Sequence, residues 1–468
     1  MTKIAASGRL GLLLTGAALM AISTSDAIAA TQKEEELEAR IQALEKAFGS
    51  LQGELQATKA ENAELRGAVA QAQAQSAQAA AAVEEAKPQL AAASQDGFTV
   101  GNGATRIKIG GFLKTVATFS KWDDGTVAAN SLGRDFYLPQ TIPVGGASTT
   151  NNDFSAKQTR LWLNLDTNVA GHTLKGYVET DFQTSAGTQG SERTTNGYNL
   201  ALRRAWVQFD NLTVGQDWST FQNTAVLPES TDFVGPTEGT VFARQPLIRY
   251  SHKLSDMASI QVAIENSETQ SATTAGLVEN DQDKMPDFVG RLNVKTGNAD
   301  FVLAGVARQL RVDNGTVDDT AFGWGVSGSG KIVFGDSKQH DVRFMATYGE
   351  GVGRYVGLNF SPDAIIDAAG RLQTPTVFAG LAAVRIGLSP SVRTNLMLGY
   401  QDVDYPGGFA AGYFDNFNAE AISYAGNIFW SPAKGFDLGA EYRHGQRTLN
   451  GGAKGQLDRI EFAAKYSF

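Results

Sequence analysis

The stretch from Arg459 to Phe468 constrains the fold more than any other. Ile460, Phe462, Ala464, Tyr466 and Phe468 share one face, and Arg459, Glu461, Ala463, Lys465 and Ser467 share the other. A period of two is the signature of a strand, because successive side chains point to opposite faces of a sheet. One face is apolar and aromatic to the last residue and the other carries charge. That pattern suits a closed barrel in lipid, apolar outside and polar inside, better than the edge of a soluble sandwich.

The rest of the chain is compatible with this reading. Mean hydropathy is −0.20 and no long apolar run follows the amino-terminal region. Helical membrane spans, each of about 20 apolar residues, are therefore excluded, whereas a barrel's weak strand signal is not. The formal charge of −9 argues against nucleic acid, and the absence of cysteine rules out a disulfide framework.

The amino-terminus reads as a secretory signal over residues 1–29. Lys3 and Arg9 form its charged region, Leu10 to Ile22 its apolar region, and Ala27-Ile28-Ala29 a small-x-small cleavage site. Residues 30–70 carry a heptad. Leu37, Ile41, Leu44, Phe48, Leu51, Leu55, Thr58, Asn62, Leu65 and Val69 recur at alternating spacings of four and three. One helix alone cannot bury such a stripe, so a self-associating coiled coil is expected. Asn62 at a core position leans towards two strands. An Ala- and Gln-rich linker, broken by Pro88, follows over residues 71–104.

Residues 105–468 hold sixteen alternating stretches separated by Gly, Asn, Asp and Pro clusters, the first near Ile107 to Phe119 and the last near Leu457 to Phe468. The expected fold is all-β, a 16-stranded antiparallel transmembrane barrel with an aqueous lumen, preceded by the coiled coil. Long loops are expected at Lys121 to Lys157, Ser267 to Asp287, Gly349 to Pro375 and Tyr405 to Phe417, with a short helix starting near Ser361-Pro362-Asp363. If apolar positions face lipid, Arg160, Arg203, Arg249, Arg385 and Arg443 face the lumen with other Arg and Lys residues, against fewer inward acids. The lumen is then net positive inside an acidic chain, and rings of arginine favour anions. Arg204 beside Arg203 breaks the alternation. Ser219 to Pro246 is a long segment with Pro228 and Pro236; folded inward, it would bring Glu229, Asp232, Glu238 and Arg244 to the channel.

Several motifs here resemble the DcaP-like outer-membrane channels. They are Trp218-Ser219-Thr220-Phe221, Leu227-Pro228-Glu229, Asp232-Phe233, Gly235-Pro236-Thr237, Arg244-Gln245-Pro246 and Ile248-Arg249-Tyr250, with Asp135-Phe136-Tyr137-Leu138-Pro139 and Gln158-Thr159-Arg160-Leu161. The resemblance implies a homotrimer of sixteen-stranded pores in outer-membrane lipid and a periplasmic helical extension. It also implies passive uptake of small anionic solutes, dicarboxylates such as succinate or phthalate. The extension leaves open a periplasmic or cell-wall contact. No cofactor or metal is implied. A sugar porin would need aromatics lining the lumen, and Trp162 and Tyr177 are the candidates. An envelope tether would need a wall-binding segment, for which the amino-terminal region is short. An enzyme is disfavoured, since His172, His252, His340 and His444 are scattered and no nucleophile motif occurs.

Overall fold

The computed structural model describes residues 97–100, 105–183, 196–279 and 282–468, together with seven helical positions between 46 and 67. Sixteen strands form the barrel: β1 (Thr105–Trp122), β2 (Thr149–Ser155 and, after a four-residue break, Arg160–Val169), β3 (His172–Asp181), β4 (Ala201–Phe209), β5 (Leu212–Trp218), β6 (Arg244–Lys253), β7 (Ala258–Glu265), β8 (Asp287–Lys295), β9 (Ala299–Asp313), β10 (Asp318–Phe334), β11 (His340–Glu350), β12 (Thr376–Gly387), β13 (Val392–Asp404), β14 (Asn418–Ala433), β15 (Phe436–Leu449) and β16 (Lys454–Ser467). Each pairs antiparallel with its neighbours in sequence. β16 returns to β1, from Phe112 opposite Ser467 to Trp122 opposite Leu457, so the sheet closes and no edge is left open.

The period-two pattern decides which face is which. On β16, Ile460, Phe462, Tyr466 and Phe468 are about half exposed on the outside, while Arg459 and Glu461 are buried within. Phe209, Phe301, Phe334, Trp430 and Tyr466 form an outer aromatic girdle near the short turns. Phe119, Phe322, Tyr348, Phe378 and Tyr424 form another towards the long loops. Two such girdles bounding an apolar band are the mark of an outer-membrane barrel. By the same rule the short turns are periplasmic and the long loops external.

Three local expectations are corrected. Thr149–Ser155, expected within a loop, is a strand segment pairing with the upper half of β1. The sheet begins earlier than residue 105, because Phe98–Val100 folds back on the start of β1. Ala364-Ile365-Ile366 is a strand, not a helix: it pairs parallel with Gln270–Thr273 and antiparallel with Leu372–Gln373. The reason is that Asp363, at the start of the expected helix, instead accepts N–H groups from Gln270 and Arg354 and pairs with Arg308, while the β-branched residues after it are buried. The one α-helix among the described barrel residues is the short turn Leu132–Asp135, capped by Ser131.

The expected signal sequence and the expected heptad core residues Leu37, Ile41, Leu44, Phe48, Leu51, Leu55 and Leu65 lie outside the described residues. Lys46, Gly49, Gly53, Gln56, Lys59, Arg66 and Gly67 are helical and exposed. They belong to a unit separate from residues 93–468.

Candidate functional site

The segment between β5 and β6, Ser219–Ala243, folds into the barrel as expected. Pro228 and Pro236 lack N–H donors, and two single turns of 3-10 helix, Thr224–Val226 and Thr237–Gly239, keep it from extending as a strand. Lumen-facing side chains from several strands take up many, though not all, of its polar groups. Arg291 of β8 meets the Gln222 carbonyl, and Asn223 donates to Ser329 of β10 at 2.9 Å. Arg343 of β11 meets the Leu227 carbonyl, Asn427 of β14 donates to the Glu229 carbonyl at 2.8 Å, and Lys114 of β1 donates to the Thr231 carbonyl at 2.6 Å. Glu441 of β15 accepts from Ser230 and from the Thr231 N–H. At Gly399 on β13 a methyl group would lie 2.6 Å from the Glu238 carboxylate, so glycine there allows the loop's close approach.

Where the loop leaves the wall, β2 to β6 present a ladder of arginines. Arg203 donates to Glu179 at 2.7 Å and to Asp181 at 2.6 Å, and Arg160 approaches Asp181 at 3.3 Å. Arg204 and Arg249 share Asp217, at 2.5 and 2.6 Å. The break in alternation at Arg203-Arg204 is a β-bulge. Glu179 pairs with Arg204 and Thr180 with Leu202, so Arg203 is an extra residue and both guanidinium groups turn inward. Outside the barrel, Gln216 donates to the Arg203 carbonyl at 3.0 Å, covering a backbone acceptor that the bulge unpairs.

Arg244 completes the ladder and differs from the rest. Its guanidinium lies 5.0 Å from the Trp218 ring centre, and among the described residues it has neither an ion pair nor a side-chain hydrogen bond. Phe233, from the loop, faces Arg203 and Arg160 at 5.1 and 5.6 Å. Five arginines thus stand on neighbouring strands against three carboxylates, Glu179, Asp181 and Asp217. Arg204 also caps the Tyr177 ring at 4.5 Å, and that ring stacks on Trp206 at 5.4 Å.

The other expected lining residues are placed differently. Arg443 is 2% exposed, bonded to Glu441 at 2.8 Å and covered by Tyr137 from the first long loop. Asp232 is buried too, accepting N–H bonds from Tyr137, Val234 and Gly235. Both therefore hold loops in place instead of lining the open channel. Glu229 pins the loop by a two-pronged pair with Arg393, at 2.5 and 2.7 Å, and lies 3.9 Å from Arg385. Glu229, Arg385 and Arg393, with Arg343 and Asp437, border a cavity of about 660 Å³ next to the Leu388–Ser391 turn, on the periplasmic side. Sequence reasoning left Arg204 without an inward role. The signal available was two consecutive arginines within one strand, which period two alone cannot place.

Among the described residues no group of three or more His, Asp or Glu side chains could hold a metal ion. The crystal structure of the outer membrane channel DcaP of Acinetobacter baumannii superposes on this chain with a TM-score of 0.68. Identity is 23%, over 80% of this chain and 99% of that one. OmpT of Vibrio cholerae, as a loop L8 deletion mutant, and an anion-selective porin from Comamonas acidovorans each give a TM-score of 0.49 at 12% identity. Each match covers 78% of this chain and all of the other. No curated protein matches the sequence. The family of DcaP outer membrane proteins matches residues 73–468. With a closed sixteen-stranded barrel and that match over most of its length, this chain belongs to the DcaP outer membrane protein family and is an outer-membrane channel, not an enzyme.

Proposed function

We propose that the channel passes small anions by preference, dicarboxylates of the succinate or phthalate type above all. The observation that carries this reading is the arginine ladder, whose guanidinium groups outnumber their carboxylate partners by two and include Arg244, which has no ion pair among the described residues. A dianion entering there loses part of its hydration, and charge-assisted hydrogen bonds to guanidinium replace it. Several spaced arginines serve conduction better than one tight site, because the solute must also leave. Arg160, Arg204, Arg244 and Arg249 are the residues assigned to the solute. Arg203, enclosed by two carboxylates, holds the wall and its charge balance. Three such barrels assemble as a homotrimer, with the amino-terminal helix in the periplasm.

The test is the reversal potential in a salt gradient for R244Q, R249Q and the double variant, with current block by succinate and phthalate. Each single change should lower anion preference and weaken block, the double more so. Both effects should fade in 1 M salt, where screening shortens to about 3 Å. Unchanged reversal potentials in the double variant at low salt would refute the anion reading and favour a sugar porin, for which the stacked Tyr177 and Trp206 would be the contact surface.

A further inference from the structure

The outer face of the barrel carries a furrow that conduction does not use. Cross-strand pairing sets one row of outward residues over six strands: Leu212 of β5, Tyr250 of β6, Val262 of β7, Gly290 of β8, Gly305 of β9 and Val326 of β10. At the usual strand spacing of about 4.8 Å this row is about 24 Å long. It climbs as it crosses, from the periplasmic turn before Leu212 to the middle of β10. Phe288, Ala307 and Trp324 pair across β8, β9 and β10 in the next outward row above. Along these two rows lies an apolar cavity of about 720 Å³. A second, of about 370 Å³, shares Phe288 and Ala307 with it and continues to the external rim at Met285, Pro286 and Thr320.

Gly290 and Gly305 face each other across the β8–β9 pair and form the floor. Glycine weakens a regular strand, and the described residues give no steric reason for either one. A methyl group at 290 would meet nothing within 4 Å, and one at 305 only the Gly325 carbonyl, at 3.7 Å. Glycines so placed mark the close approach of a ligand or another chain from outside. The medium decides which. Trp324 meets Tyr348 of the external girdle edge-on at 5.9 Å, and Phe301 on β9 belongs to the periplasmic girdle. Girdles on both sides of the furrow place its floor in hydrocarbon, on a wall that faces lipid.

We propose that the furrow holds an acyl chain of an external-leaflet lipid. The chain enters at the rim by Met285 and Thr320, passes Phe288 and Trp324, and lies over Gly305 and Gly290. Lipid chains are as apolar as the wall, so the hydrophobic effect favours neither the furrow nor the bulk. What holds the chain is van der Waals contact with a floor and two sides at once, which bulk lipid does not offer. The site is on the opposite face of the wall from the arginine ladder and is independent of which solute the channel passes.

The experiment places the full chain in vesicles of dibromostearoyl phosphatidylcholine, whose bromines quench tryptophan on contact. Trp430, half exposed in the periplasmic girdle away from the furrow, is the bulk-lipid reference. W324F and W430F identify the two signals by difference. On dilution into excess bromine-free detergent, Trp430 should recover at once and Trp324 at least fivefold more slowly. G305L fills the floor, and in it Trp324 should recover as fast as Trp430. Heat-modifiable migration checks folding; should G305L fail it, G290L makes the same test on the facing glycine. Equal recovery of the two tryptophans in the parent would mean bulk lipid only and would overturn the proposal. So would slow recovery that survives in the filled variant. A Trp324 unquenched in the vesicles themselves would assign the furrow to a second copy of the chain and overturn it as well.

Discussion

Glu238 puts a carboxyl group where water does not reach. It is wholly buried between the infolded loop and β13, and neither of its oxygens makes a hydrogen bond of good geometry, although Arg443, Ser423 and Tyr137 lie close. Burial dominates and pushes its pKa above the ordinary carboxylate range. A raised pKa in the folded state means that the stability it contributes is full below the ordinary value and is lost as pH rises through the folded value. E238Q keeps the shape and removes the charge. It should raise the unfolding temperature at pH 8 and have less effect at pH 4, as followed by the heat-modifiable shift across a pH series. An equal effect at both pH values would mean that the carboxyl is already neutral or fully paired at pH 8. At this scale the sequence was partly legible. Inward positions such as Arg160 and Arg249 follow from alternation alone. The burial of Arg443 and Asp232 does not, because it depends on loops whose path the strand period does not encode.

The strands were the most legible elements, since one face in lipid and the other in a wet lumen impose the alternation on every one of them. All sixteen expected stretches overlap the sixteen strands of the barrel. Where they err, pairing partners distant in sequence decide, as at Ala364–Ile366, whose partner is Gln270–Thr273. The infolded loop was visible as a long Pro-containing segment, but its docking sites on β8 through β15 were not. Several of those bonds run from wall side chains to loop carbonyls, and any loop sequence offers carbonyls. Because water in the lumen can resolvate Arg343, Arg393 and Glu441, the loop is separable from the wall that holds it. Excising residues 226–240 and bridging the ends with Gly-Ser should leave an inserted barrel with severalfold higher single-channel conductance and weaker anion preference. Conductance equal to the parent's would show that the loop does not limit the channel.

At the scale of the molecule, the chain divides into residues 1–92 and residues 93–468. The second unit closes on itself: β16 pairs with β1, and the Gly111 and Phe468 backbones exchange hydrogen bonds at 3.2 and 3.1 Å. A closed sheet satisfies its backbone groups within the barrel, which is the condition for stability in hydrocarbon. Among the described residues, the interactions that complete the barrel and pin its loop lie within residues 98–468. From the heptad at Leu37 to Val69 and the break at Pro88 we propose that the preceding segment is a module of its own. Deleting residues 31–95 while keeping residues 1–30 should therefore yield a barrel that inserts, shifts on heating and conducts with the parent's selectivity. If barrel walls alone hold the oligomer, the truncated protein also keeps the parent's migration before heating. Migration as a monomer with normal conductance would assign assembly to the coiled coil. Loss of conductance in a properly inserted truncation would show instead that the helix takes part in the channel itself.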